Sequence, residues 1–327
     1  MNLLAALLLL SAIMAAKAQD APLSLEKTIP MPKVEGRIDH MAADILGQRL
    51  FVAALGNNTV EVLDLKTGKT IGSVPGFAEP QGIAYVPELN RVFIANGQDG
   101  TCRIIDGQSL KTISSIQCGD DADNVRYDAS AGRIYVGEGS GALTVLDAKS
   151  GTKLADIKLA GHPESFRLET VGPRIFVNVP KADHIAVVDR DKGMVTETWR
   201  LKEAKANFPL VLDDVNHRLF AGCRSPSKLL VYDTSAPGGR LITTVPISGD
   251  TDDLFFDAHN NLIYVSCGAG FIEVIKQTNA DTYKKVNTMP TATGARTSLF
   301  VPELKMLCLA VPHRGTQIAE IRVFKTK

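Results

Sequence analysis

One short strand signature recurs seven times along this chain, at intervals of 41 to 44 residues. Five copies open with arginine and continue in β-formers: Arg49-Leu50-Phe51-Val52, Arg91-Val92-Phe93-Ile94, Arg133-Ile134-Tyr135-Val136, Arg174-Ile175-Phe176-Val177 and Arg218-Leu219-Phe220-Ala221. Leu262-Ile263-Tyr264-Val265 and Met306-Leu307-Cys308-Leu309 are degenerate copies. A unit of this length with several short strands cannot bury its apolar faces alone, and radial stacking of such units gives a β-propeller. The expected architecture is all-β: a seven-bladed β-propeller with four-stranded blades.

Each repeat carries the same parts. A short apolar segment such as Gly82-Ile83-Ala84-Tyr85-Val86 precedes the anchor strand. After the anchor and a polar turn comes an alternating strand, Thr59-Val60-Glu61-Val62-Leu63-Asp64 in the first copy. Period-2 alternation bounded by Gly, Asn and Asp is the signal of strands joined by hairpins. The closing aspartate, as in Asp64-Leu65-Lys66-Thr67-Gly68, reads as a turn device: its carboxylate can bond the backbone two residues on.

The fourth strands bear on closure. Lys69-Thr70-Ile71 and Lys111-Thr112-Ile113 each stand 13 residues before the next inner segment, and Lys27-Thr28-Ile29 stands 13 residues before His40. No first three strands precede Lys27, and the last repeat ends after Ile318–Phe324 without a fourth strand. The N-terminal strand is therefore expected to complete the last blade and leave no open sheet edge.

Residues 1–18 read as a signal peptide. Leu3–Ala16 is an apolar run too short to span a bilayer comfortably, followed by Ala16-Lys17-Ala18, a small-x-small cleavage signal. Retention as an N-terminal anchor is the alternative, because the n-region has no Lys or Arg. Residues 19–327 then form the propeller, periplasmic or secreted, monomeric and without a transmembrane domain. With 36 basic against 36 acidic residues there is no electrostatic reason to expect nucleic acid, which requires a basic face. The single Trp199 leaves little for a base- or sugar-stacking platform. No C-x-x-C occurs, which removes zinc-ribbon, dithiol and c-type haem readings. Cys102 and Cys118 fall on adjacent strands of one blade, where an oxidising compartment could bridge them; Cys223, Cys267 and Cys308 read as buried small hydrophobes.

Propeller chemistry gathers where blades meet at the central channel. Ten residues before the anchors stand Asp39, Gln81, Asp123, Glu164, Phe208, Asp252 and Arg296; next come His40, Gly82, Asn124, Ser165, Pro209, Asp253 and Thr297. Equivalent positions that are polar and differ between blades look like a ligand site. Three readings compete. Asp39, Asp123, Glu164, Asp252 and Asp253, with Asn124, would bind a divalent cation, calcium first because every donor is oxygen. His40, Asp39 and Glu164 would form a general acid-base set. Or these side chains buttress a water-filled channel. Arg126 and Arg167 share a place that is apolar in the other blades; they read as salt-bridge partners of Asp123 or Glu164, or as a clamp for a carboxylate or phosphate. Gln81, Asn124, Arg126, Arg167 and Arg296 are the candidate ligand-binding residues. A His40/His162 metal pair is a further option.

The first blade core, Phe51 to Lys69, resembles the YVTN β-propeller repeat, as do Ile175-Phe176-Val177-Asn178 and the strand ending at Asp189. The resemblance runs through the repeats of the whole mature chain. It implies an exported seven-bladed protein of the YVTN or surface-layer-like kind, and it maps no catalytic pattern onto these residues. The expected function is binding of a small molecule, metal or protein partner at the channel rim. The alternatives are a lactonase-like hydrolase or isomerase at the same rim, and a protein-interaction scaffold.

Overall fold

The computed structural model describes residues 21–327, so the apolar leader expected over 1–18 lies outside the described residues. Among these described residues, twenty-eight strands form seven antiparallel four-stranded sheets. The first blade is Met41–Asp44, Arg49–Ala54, Thr59–Asp64 and Lys69–Pro75, hydrogen-bonded in chain order, and five more blades repeat that order. The seventh takes three strands from the end of the chain and its outermost strand from the start. Leu23–Pro30 pairs antiparallel with Glu320–Thr326, from Leu23 opposite Thr326 to Pro30 opposite Glu320. The ring is thus closed as expected, and the buried Leu23 and Ile29 seal the joint.

The anchor arginines repeat for a reason that concerns neighbouring blades. Arg49 donates to the Gly107 carbonyl, Arg91 to Ala148, Arg174 to Thr234 and Arg218 to Ala280, each in the following blade. Arg49 also holds Asp44 at 2.8 Å, so a guanidinium fork fixes both its own blade and the next. The closing aspartates act as turn devices: Asp64 accepts from the amides of Lys66 and Thr67, both at 2.8 Å.

The alternating third strands differ from the usual half-solvated pattern. Glu61 is buried and accepts from the hydroxyls of Thr59 and Ser73 at 2.6 and 2.8 Å. Glu273 is likewise buried, with Ser248, Thr288 and Lys285 on its carboxylate. Both faces of a blade are covered by its neighbours, so the polar half of the alternation needs partners inside the protein.

All five cysteines are buried free thiols. Cys102 pairs in register with Ile116, which puts Cys118 diagonally beside it, and the two remain unbridged. The neighbouring Cys118 thiol and burial push the Cys102 thiol well up. No helix among the described residues is long and apolar enough to cross a membrane.

Candidate functional site: a divided channel

The seven inner strands are Met41–Asp44, Pro80–Val86, Val125–Asp128, Phe166–Leu168, Lys205–Asp213, Thr251–Asp257 and Ser298–Val301. They line the central channel. The entry residues of three blades make the same bond to the second strand: Asp39, Asp123 and Glu164 donate their amides to the carbonyls of Ala53, Gly137 and Asn178 at 2.8 to 3.0 Å. That shared bond is why the ring positions are equivalent in space. Gly82 adds a tight approach between blades: a Cβ there would lie 2.3 Å from the Asp123 carbonyl oxygen and 2.8 Å from the Val125 nitrogen. Gly82→Ala is therefore expected to displace the Asp123 backbone and cost about 1–3 kcal/mol, read by urea unfolding. Unchanged stability would show that the neighbouring strand yields freely.

The mouth at the start of the inner strands is a cavity of about 300 Å³. It collects Asp39, His40, Gln81, Asp123, Glu164, Phe208, Asp252 and Arg296 from the expected ring. The five expected carboxylate ligands do not act as one group. Asp252 is held by Arg224 at 2.6 Å and Arg296 at 2.8 Å, yet burial lifts it to about 6. Asp253 lies 3.5 Å from His40 Nδ1 and accepts the Ser298 amide at 2.9 Å. Asp39 lies 3.8 Å from His40 Nε2 and 3.2 Å from Arg37. Burial disfavours the imidazolium, but Asp253, Asp39 and Asp123 outweigh it and raise His40 to about 10. At neutral pH His40 is then a clamped cation, able to act as an acid and not as a base. Among the described residues no hydrogen bond or ion pair joins Glu164 to either His40 or Asp39.

What remains without an arginine or lysine ion pair, among the described residues, is the sector of the second to fourth blades. Asp123, His162 and Glu164 each present one donor atom, and these atoms lie within 4.8 Å of one another. Asp123 Oδ1 is buried with no hydrogen-bond partner. No hydrogen bond or ion pair among the described residues reaches the Glu164 carboxylate. Burial and the Asp252 carboxylate raise Glu164 to about 7, and burial and Asp39 raise Asp123 well above the ordinary range. His162 has Nδ1 at 3.4 Å from Asp121, which in turn accepts from Gln81 at 3.0 Å. Burial lowers His162, so its ring is neutral and offers Nε2 toward Asp123 at 4.0 Å.

Sequence reasoning named His162 only as one of a His40/His162 pair, and it missed Asp121, Arg37 and Arg224. Three of these were within reach. Arg37, Asp121 and His162 stand at one repeated place, two residues before Asp39, Asp123 and Glu164. Arg224, at the far end of Arg218–Ser225, had no such signal; its guanidinium lies over Phe208 at 3.4 Å.

Arg126 and Arg167 do not form the expected salt bridges to Asp123 or Glu164. Arg126 donates to the Asn124 side chain at 2.9 Å and to the Val125 carbonyl at 2.8 Å, while Arg167 lies over the Phe255 ring at 6.0 Å. Each arginine is three residues past its carboxylate, roughly 10 Å along a strand, and an odd separation turns the two side chains to opposite sides. Both point into a second chamber beyond His40.

No protein-family model matches the chain, and no curated protein matches it in sequence. Solved structures do match in fold. A chain of Kuenenia stuttgartiensis hydrazine synthase is similar with a TM-score of 0.77 at 16% identity, covering 88% of this chain and 97% of that one. A chain of the mitotic checkpoint complex is similar with a TM-score of 0.78 at 12% identity, covering 93% and 92%. Likeness at such identities establishes the seven-bladed propeller fold and speaks to nothing finer.

Proposed function

We propose that this chain is an exported binding protein that holds a divalent metal ion at the channel mouth through Asp123, His162 and Glu164, leaving a coordination position open for a small ligand. The observation that carries the proposal is the convergence of these three donor atoms within 4.8 Å, with no Lys or Arg ion pair on the Asp123 and Glu164 carboxylates among the described residues. The donor set also selects the ion. An imidazole nitrogen beside two carboxylates suits zinc, whereas calcium takes oxygen ligands. Asp121 on His162 Nδ1 is the outer partner that orients a metal-bound imidazole. Export rests on the apolar run Leu3–Ala16 and the Ala16-Lys17-Ala18 signal, and the YVTN-like repeat supports the same address.

Calorimetric titration tests this. One equivalent of zinc is expected to bind, with Asp121→Asn weakening it about 10–100-fold and Glu164→Gln at least as much. Equal zinc affinity in the native protein and in Glu164→Gln overturns the assignment. A metal-assisted hydrolase is the second reading, favoured by the count of three protein ligands facing a cavity, the pattern of a catalytic zinc site with water in the fourth position. Lactone or ester turnover that tracks zinc loading would select it.

A further inference from the structure

Beyond His40 the channel opens into a second chamber of about 380 Å³, opposite in chemistry to the first. Two arginines face it from adjacent inner strands, against one lining carboxylate, Asp253, which His40 and the Ser298 amide already engage. Arg126 bonds only neutral acceptors, and its Nε is buried with no partner. Among the described residues the Arg167 guanidinium makes no hydrogen bond or ion pair. Burial and repulsion from Arg126 lower Arg167 to about 9, and burial lowers Arg126 as well. An unpaired pair of guanidinium forks in a confined space is a costly arrangement unless an anion joins them. The rest of the lining is largely apolar, with Tyr85, Tyr127, Phe255 and Phe256 among its residues. A few convergent polar groups in an apolar pocket of this size match a small-molecule site.

We infer that this chamber binds a small organic monocarboxylate with an apolar body, its carboxylate between Arg126 and Arg167 and its body against the aromatic wall. Inorganic phosphate would satisfy the arginines but leave the apolar wall uncovered, so the body is part of the recognition. The site is separate from the metal site: His40 stands between the two chambers, and no residue of the proposed metal set lines the second.

Ligand titrations in EDTA keep the two sites apart. The probes are benzoate, phenylacetate and 3-methylbutanoate, with phenylacetamide and inorganic phosphate as controls. At least one carboxylate is expected to bind, at least about tenfold more tightly than the uncharged amide and more tightly than phosphate. Arg167→Met is expected to weaken that binding at least about tenfold. The same variant should melt no lower than the native protein when ligand-free, because it removes an unpaired buried charge. A flat response to all three carboxylates overturns the inference. So does equal affinity for the amide or for phosphate, or unchanged affinity in Arg167→Met.

Discussion

A chain lacking residues 23–30 is expected to lose its cooperative thermal transition. The deletion removes the outer strand of the last blade, strips Glu320–Thr326 of one row of hydrogen-bond partners and uncovers the core that Leu23 and Ile29 close. Burying two such side chains is worth about 3–6 kcal/mol, and the unpaired strand edge adds to the loss. That is comparable with the whole stability of an ordinary domain, about 5–15 kcal/mol. Supplying a peptide of residues 23–30 in excess should restore part of the transition by adding back the strand. Calorimetry decides: an unchanged melting temperature in the deleted chain would mean that the ring does not depend on this joint.

His40→Asn is expected to destabilise the metal-free protein by about 3–5 kcal/mol at pH 7, the usual consequence of removing one partner from a buried ion pair. Asp253, Asp39 and Asp123 would then face one another without the imidazolium that relieves them. The sign with pH follows from the direction of the shift. His40 is raised from 6.5 to about 10, so its contribution is fully present below pH 6.5 and is lost as pH rises toward 10. The native protein in EDTA should lose stability across that window, while His40→Asn should show a flatter profile there. Urea unfolding at pH 6, 8 and 10 checks both, and a native profile no steeper than the variant's would contradict the clamped cation.

The features legible in the sequence were those that several blades repeat. Arg49, Arg91, Arg174 and Arg218 were visible because each ties its blade to the next, and the closing strand because Lys27-Thr28-Ile29 keeps the spacing of Lys69-Thr70-Ile71. The ring positions of Asp39, Asp123 and Glu164 were visible because one backbone bond fixes each of them. What one chain could not reveal is which ring charges meet across the channel. Asp253 of the sixth blade finds His40 of the first, and Asp252 finds Arg224 from the end of a different strand. Such pairing depends on the circular arrangement and not on spacing within a repeat. A ring that reads as five equivalent carboxylates therefore divides into two neutralised sectors and one open one, and the open one carries a histidine that turns the preference from calcium toward zinc.

The most direct measurement is a crystal structure of the zinc-soaked protein with anomalous scattering recorded at the zinc edge. The account predicts one strong peak at the channel mouth, about 2.0–2.2 Å from His162 Nε2 and from carboxylate oxygens of Asp123 and Glu164. A peak elsewhere in the ring, or none at the mouth in zinc-soaked crystals, would contradict it.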